Sequence, residues 1–361
     1  MTASTFFVGG LELANPLCLA PLAGVTAAPV REFFTRLGAA LTHTEMVSCA
    51  GLVRANRKTS DMLETLPGEG PVILQLFGGE ADTVVRGAEV ALELEGARGG
   101  SAFAGLGLNM ACPMPKVTRR GAGAALLDVP SEAFEMTRRL KRLGLPIWVK
   151  IRRVSEGKNE DTIRFVEGLL DAGAENVCIH GRTAAQRYEG RSDRTVVAEA
   201  ARRFPGRIAA SGDVRTPEDV REYLDAGCAA VMLARGALAN PWLFPESLRA
   251  LELPVPGGFL EPSPELRRAE LSRLGERART LCGERLAVVL LKRLMGGMLR
   301  GMSGAAELRR RAGCASDLDA LLDDEGLDAL GAVHERPAFL VRPRMVDVAG
   351  AVNRYRGLDL A

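Results

Sequence analysis

The chain has 361 residues, of which 47% are hydrophobic and 25% charged, and its formal net charge is +2. This composition excludes intrinsic disorder, and the 40 glycines follow no collagen period. The longest purely apolar runs, such as residues 286–291, are far shorter than the roughly 18–20 residues that a membrane-spanning helix needs. Because no cationic region precedes an apolar stretch at the N-terminus, we expect a cytoplasmic globular protein.

From residue 16 to about residue 243, a short apolar run alternates eight times with a stretch of helical length. The runs are aliphatic and follow Gly, Pro or a charged residue, as buried parallel strands do. They occupy residues 16–20, 40–46, 71–77, 104–109, 146–152, 175–180, 207–211 and 229–234. Eight such units in about 230 residues predict a TIM (β/α)8 barrel, and their regularity disfavours the alternative of a doubly wound sheet.

We predict a catalytic barrel over residues 1–250, a Pro- and Gly-rich linker over 251–264 and a small all-α domain over 265–361. Residues 265–311 carry a net charge of +7, from twelve Lys or Arg and five Glu. Such a basic block suits a polyanion such as RNA, and the alternative is a solvated helix face. Residues 312–361 carry a net charge of −4 and receive no function.

Polar groups end the predicted strands, where the chemistry of a TIM barrel lies. Six strands bring one such group to the rim, among them Glu45, Gln75, Asn109, Lys150 and His180. The last two loops, with Gly212, Asp213, Arg235 and Gly236, suit a phosphate. Because no GxGxxG follows a strand, a mononucleotide such as FMN fits better than a dinucleotide on a Rossmann fold.

The sequence leaves the chemical role open for three side chains, namely Lys150, Cys112 and His180. Lys150 suits either a Schiff base or a charge that stabilises a reduced flavin. Cys112, in NMACPMPKV (109–117), suits either a proton donor or a nucleophile. His180 suits a hydrogen-bonding or acid–base group, because three histidines and seven cysteines without a CxxC pair predict no metal site.

Together these segments resemble the tRNA dihydrouridine synthases, most closely their bacterial B-type branch. The resemblance covers roughly residues 5–310. Its segments are APLAGVT (20–26), TEMVS (44–48), LQLFG (74–78), NMACPMPKVTRRGAGAALL (109–127), VKIR (149–152), IHGRT (179–183), SGDV (211–214) and ARGALANPWLF (234–244).

The resemblance implies an FMN enzyme, reduced by NADPH, that acts on a tRNA uridine and has no membrane or metal partner. It implies that Cys112 protonates uracil C5 while reduced FMN delivers a hydride to C6. The implied FMN contacts are Pro21, Ala23, Gln75, Lys150 and His180, with the phosphate held by Gly212, Asp213, Arg235 and Gly236. The implied RNA-side residues are Asn109, Lys116 and Arg182, joined in the basic block by Arg267, Arg268, Lys292 and Arg293. A monomer is the default expectation.

The sequence departs from the family pattern at Ala111, Ser211 and Ala234, where the family has Gly, Asn and Gly. A methyl group at position 111 requires a negative φ. Three competing functions remain at this stage: an FMN-dependent reductase of a small pyrimidine or enone, an aldolase-like lyase that uses Lys150, and a flavin-free RNA-binding protein. The basic block argues against the first, because a free pyrimidine needs no polyanion-binding surface.

Overall fold

The structure is a computed structural model that describes residues 5–98, 103–259, 261, 263–298 and 305–322. Most of the acidic stretch at 317–330, and the remainder of the predicted all-α domain to residue 361, lie outside the described residues. Among the described residues, none of the helices combines the length and the apolar composition that a membrane crossing requires.

Eight parallel strands close into a barrel, which confirms the predicted TIM fold. Each of the eight predicted runs overlaps a strand of this barrel. Closure occurs where Cys18 bridges to Leu41, with the Leu19 N–H donating to the Leu41 carbonyl over 2.8 Å. The strands in the described residues are β1 Phe6–Val8, β2 Leu11–Leu13, β3 Leu17–Leu19, β4 Thr42–His43, β5 Val47–Ser48, β6 Val72–Phe77, β7 Gly105–Met110, β8 Ile147–Arg152, β9 Asn176–His180, β10 Ile208–Ser211 and β11 Ala230–Leu233.

Helices separate the barrel strands and cover them from outside. The α-helices of the barrel region are α1 Ala28–Arg36, α2 Cys49–Val53, α3 Arg57–Ser60, α4 Ala81–Arg98, α5 Pro115–Thr118, α6 Pro130–Lys141, α7 Asn159–Asp171, α8 Arg194–Arg203, α9 Pro217–Asp225, α10 Arg235–Ala239 and α11 Leu243–Ala250. Local sequence explains their starts: Thr216 and Asp219, for example, form a capping box at the first turn of α9.

The amino-terminal hairpin β1–β2 closes the bottom of the barrel. Trp148, at the start of β8, donates its Nε1–H to the Gly9 carbonyl in the hairpin turn over 3.0 Å. Gly9 has a φ of +53°, and a Cβ there would lie 2.7 Å from the Trp148 ring. The apolar interior of the barrel is therefore sealed at this end, and the opposite end is left for polar groups.

Within the described residues after the barrel there are four helices: α12 Pro264–Cys282, α13 Glu284–Met298, α14 Ala305–Cys314 and α15 Leu318–Leu321. Helix α12 packs on α1 through Arg36, which donates to Glu270 over 2.8 Å. Helix α13 packs on α10, next to the carboxyl ends of the strands. The segment predicted as a linker also contributes to this packing, because Phe259 is buried with its ring centroid 6.2 Å from that of Trp242.

Candidate active site

The strand register brings the predicted polar residues together at the carboxyl end of the barrel. Asn109 in β7 pairs with Lys150 in β8, and Arg152 pairs with His180 in β9. Because side chains alternate along a strand, Lys150 and Arg152 lie on one face of β8. Lys150 was predicted from the sequence and Arg152 was missed, although their two-residue spacing in VKIR (149–152) places both on the same face of one strand.

Gln75 and Lys150 present polar atoms that find no partner among the described residues. Gln75 is 1% exposed, and none of the residues that the structure describes provides an acceptor for its buried Nε2. Lys150 makes no hydrogen bond or ion pair within the part of the chain that the structure describes. Burial lowers the pKa of Lys150, and the nearby Arg152 charge lowers it further, against an opposing effect of Cys178. Because buried polar groups are costly without partners, both side chains are suited to bind a ligand.

His180 is neutral at physiological pH. Burial holds its pKa well below the usual value, and the charges of Arg152, Lys150, Arg182 and Arg235 act in the same direction. The Nη1 atom of Arg182 lies 3.3 Å from the His180 Nε2. Because a guanidinium only donates, Nε2 must be the acceptor, which leaves the ring proton on Nδ1. This geometry makes His180 a hydrogen-bonding group and not a source of protons.

Arg182 and Asp213 form a buried, bidentate ion pair. The Arg182 Nη1 and Nη2 atoms donate to the two Asp213 oxygens over 2.9 and 2.7 Å. The remaining Arg182 donors face His180 and the carbonyls of Glu189 and Gly190, so all five N–H groups have partners. At 1% exposure, Arg182 is placed to orient His180 and not to reach an RNA substrate.

Asp213 holds arginines and does not itself provide a phosphate ligand. Burial would raise the pKa of its carboxyl, but hydrogen bonds from Arg182 and from the Ser192 N–H lower it. Arg235 and Arg215 also face this carboxylate, at 3.3 and 3.8 Å. The positive charge available for a phosphate therefore comes from Arg235 and Arg215.

The two predicted phosphate-loop glycines are explained by close packing of the loops. Gly212 has a φ of +110°, and a Cβ there would lie 2.6 Å from the His180 ring. A Cβ at Gly236 would collide with the carbonyl oxygen of Val214. Gly212 therefore allows the loop after β10 to approach the end of β9 and its loop, and Gly236 allows the loops after β10 and β11 to approach each other. The Ala234 methyl is accommodated at a φ of −128°.

Cys112 lies on a short loop whose backbone is fixed on several sides. The Asn109 Oδ1 accepts the N–H groups of Ala111 and Cys112 over 3.1 and 3.0 Å. The Ala124 N–H donates to the Cys112 carbonyl over 3.0 Å. Ala111 is not among the residues with positive φ, so its methyl group is accommodated as expected. The side chain of Asn109 is therefore used to shape the loop.

The Cys112 thiol is half-buried and remains protonated at neutral pH. Burial raises its pKa, and neither the hydrogen bond with Met114 nor the charge of Arg152 cancels this effect. A thiol in this state is a proton source and a poor nucleophile. Of the two possibilities that the sequence left open, the electrostatics favour the proton donor.

Pro21 and Ala23 lie on the loop after β3, which borders the same end of the barrel. Pro21 is half-buried and Ala23 is exposed. The next residue, Gly24, donates its N–H to the Glu45 carboxylate, and its carbonyl accepts from Arg293 of α13. Arg293 is thus used to join the helical segment to the site.

The other predicted RNA contacts differ in accessibility. Lys116 on α5 is exposed and unpaired among the described residues. Arg268 is half-buried. Arg267 is 3% exposed and packs its guanidinium 5.4 Å from the Trp242 ring, so its charge is not available at the surface for RNA. Lys292 donates to the carbonyls of Gly313 and Ala315 over 3.1 and 2.8 Å, which ties α13 to the carboxyl-terminal end of α14.

Comparison with known proteins identifies the family. The dihydrouridine synthase (Dus) family model matches residues 18–317, and a second model, the MRB1590 C-terminal domain, matches residues 291–361. The tRNA-dihydrouridine synthase B of Pseudomonas aeruginosa is 30% identical over 319 residues, which cover 87% of this chain and 92% of the relative. The "probable tRNA-dihydrouridine synthase" of Treponema pallidum is 30% identical over 255 residues, 68% of this chain and 73% of the relative. These matches confirm the resemblance seen in the motifs: the chain belongs to the dihydrouridine synthase family of oxidoreductases.

Proposed function

We propose that the protein binds FMN at the carboxyl end of its barrel and reduces a tRNA uridine to 5,6-dihydrouridine, with NADPH as the reductant. The observation that carries this proposal is Cys112, a half-buried thiol that is protonated at neutral pH on the loop after β7. Reduction of the uracil C5–C6 bond consumes one hydride and one proton, and this thiol is suited to supply the proton.

The unpartnered groups of the site support a flavin. A flat heterocycle with carbonyl and ring-nitrogen acceptors would satisfy the Gln75 Nε2 donor and the Lys150 ammonium together. Arg235 and Arg215 would hold the phosphate, while Asp213 orients them.

When bound, reduced FMN supplies the hydride for uracil C6. Cys112 supplies the proton for C5, and the thiolate left behind is stabilised by the positive charge of Arg152 and the hydrogen bond with Met114. Lys150 would contribute positive charge to the site that holds the flavin, which would stabilise a reduced, negatively charged ring. Because the uracil of folded RNA is stacked, the nucleotide must be extruded to reach this pocket.

The test is anaerobic. The purified protein is reduced with NADPH and mixed with tRNA transcribed without modifications, while the visible flavin absorbance is followed. Return of the absorbance with tRNA, but not with free uridine, is the expected result. A yellow protein that tRNA does not reoxidise would contradict the tRNA assignment and indicate a small pyrimidine or enone as the substrate. A colourless protein unable to take up FMN would contradict the cofactor assignment.

Replacement of the proton donor gives the first prediction. We expect Cys112→Ala to keep its yellow colour and its tRNA affinity but to form dihydrouridine roughly 10²–10⁴-fold more slowly, the usual contribution of a positioned acid. Cys314→Ala, which changes an exposed thiol on α14, is the matched control and should behave as the wild type. Product is measured by mass spectrometry of digested tRNA. Normal turnover by Cys112→Ala would remove Cys112 from the mechanism.

A further inference from the structure

The side chain of Arg152 joins two loops of the site. Its Nε donates to the Ala111 carbonyl over 2.7 Å, and its Nη1 donates to the carbonyls of Thr183 and Arg187 over 2.9 and 2.7 Å. The first carbonyl belongs to the cysteine loop (residues 111–114), and the other two belong to the β9 loop (residues 181–193). Arg152 is 2% exposed, so these bonds are shielded from water.

The aromatic ring of Tyr188 holds Arg152 from the side of the β9 loop. The Arg152 Cζ lies 5.5 Å from the Tyr188 ring centroid, and the Arg235 Cζ lies 4.6 Å from it. Both distances are within the range of cation–π contacts. Arg235 in turn faces Asp213, so the β9 loop is anchored both to the phosphate loops and to the cysteine loop.

The bond from Arg152 fixes the peptide group that immediately precedes Cys112. This peptide has two polar ends, the Ala111 carbonyl and the Cys112 N–H. Arg152 binds the first and the Asn109 Oδ1 binds the second over 3.0 Å. Because a peptide group is planar, fixing both ends fixes its orientation, and with it the direction from which the Cys112 side chain leaves the backbone.

We propose that Arg152 is a positioning residue that sets the location of the Cys112 thiol relative to the substrate. For catalysis the inference rests on the proposed role of Cys112 as proton donor. A guanidinium is required because its fork of donors reaches three carbonyls at once. A lysine at this position keeps the charge, but its single ammonium cannot span both loops.

The kinetic test uses Arg152→Lys, Cys112→Ala and the double variant in single-turnover reoxidation of the reduced holoenzyme by tRNA. We expect Arg152→Lys to slow reoxidation by about 100-fold, the effect of a misplaced reacting group. Flavin reduction by NADPH and the Kd for tRNA should stay within about threefold, because a positioning residue contributes no uniform substrate binding. The double variant should be no slower than Cys112→Ala, because two residues that act through one thiol are not additive.

The matched control is Arg164→Lys, the same substitution on the exposed surface of α7, where the guanidinium pairs with Glu160 over 3.4 Å. It should leave reoxidation unchanged. Additive losses in the double variant, or tRNA binding weakened in parallel with the rate, would overturn the inference and make Arg152 a substrate contact.

A second measurement needs no substrate and separates this inference from the proposed function. The alkylation rate of Cys112 by iodoacetamide is followed by peptide mass spectrometry in the holoenzyme. Release of the cysteine loop in Arg152→Lys should raise this rate about fivefold or more, the factor that corresponds to one lost hydrogen bond. An unchanged rate overturns the inference. Faster alkylation in a protein whose wild type does not turn over tRNA would overturn the proposed function alone.

Tyr188→Leu is a second variant that keeps the inference testable if Arg152→Lys does not fold. It removes the aromatic contact with Arg152 while leaving the three carbonyl bonds possible. We expect a smaller increase in alkylation in the same direction. The inference would be overturned if the alkylation rate of Cys112 did not increase in Tyr188→Leu and circular dichroism showed Arg152→Lys to be unfolded. Arg152 would then stabilise the fold without positioning Cys112.

Discussion

Asp213 is the carboxylate around which the arginines of the site are arranged. It faces Arg182, Arg215 and Arg235, and Arg182 lies almost completely buried behind it. Removing one partner of such a pair leaves the other charge buried without compensation. The geometry of His180 therefore depends on Asp213 through Arg182, although Asp213 touches neither ring nitrogen.

Loss of this carboxylate should cost stability in a pH-dependent way. We expect Asp213→Asn to lower the free energy of unfolding at pH 7 by about 3–5 kcal/mol in urea titrations. Because the folded pKa of Asp213 is lowered, its stabilising contribution is complete above the unfolded pKa of about 3.9 and is lost as the pH falls through the folded value. The difference between wild type and variant should therefore shrink below pH 4.

Asp225→Asn is the control for that measurement. Asp225 is exposed at the end of α9 and makes no ion pair among the residues that the structure describes. Its replacement should change stability by less than about 0.5 kcal/mol. If the difference in the free energy of unfolding between wild type and Asp213→Asn stayed constant from pH 7 to pH 3, the assigned role of the carboxylate would be contradicted.

At the level of secondary-structure elements, the barrel strands could be predicted from the sequence, but the β1–β2 hairpin and the path of the β9 loop could not. Buried parallel strands leave apolar runs of recognisable length, so each predicted run overlaps its strand. The hairpin β1–β2 was missed because Phe6–Val8 and Leu11–Leu13 are only three residues each, too short for a periodic signal. The contact between Arg152 and Tyr188 was missed for a different reason: it depends on the path of the β9 loop, which the pattern of strands and helices does not determine.

The loop between β3 and α1 is where the helical segment meets the barrel. Gly24 has a φ of +70°, donates to Glu45 and accepts from Arg293, and a Cβ there would collide with the Arg293 guanidinium. We expect Gly24→Ala to destabilise the protein by about 1–3 kcal/mol, the usual cost of such a backbone conformation in a non-glycine residue. The measurement is urea unfolding.

A second Gly→Ala substitution provides the contrast. Gly96 lies within α4, and a Cβ there would meet no atom of the described residues within 4 Å. Gly96→Ala should stabilise the protein by about 0.5–1 kcal/mol, because alanine is the better helix former. Equal effects of the two substitutions would show that the left-handed loop conformation and the Arg293 contact carry no energy.

For the whole molecule, the distribution of charge that is free to bind RNA differs from the distribution in the sequence. Much of the basic block is already engaged: Arg277 pairs with Glu32 over 2.9 Å, and Arg279 pairs with Glu284 over 2.8 Å. On the barrel, the α5 patch (Lys116, Arg119 and Arg120) is exposed and makes no ion pair among the described residues. This patch begins four residues after Cys112, so it borders the pocket into which the uridine would be extruded.

The α5 patch should therefore contribute phosphate contacts to tRNA binding. Each neutralised phosphate contact lowers the slope of log K against log salt by about 0.9 on a duplex. We expect Arg119→Gln/Arg120→Gln to weaken tRNA binding and to reduce that slope by about 1.8, measured by fluorescence anisotropy from 50 to 300 mM salt, a range chosen to bracket ~0.15 M physiological salt.

The control for this variant is Arg142→Gln/Arg202→Gln, which changes the net charge equally. These arginines lie at the carboxyl-terminal ends of α6 and α8. Helices of a TIM barrel run antiparallel to its strands, so these ends lie at the face opposite the site. The control should leave the slope unchanged, because its charges lie beyond the reach of screened electrostatics, about 8–10 Å at physiological salt. If both double variants reduced the slope equally, binding would follow net charge alone and the α5 patch would be an ordinary solvated surface.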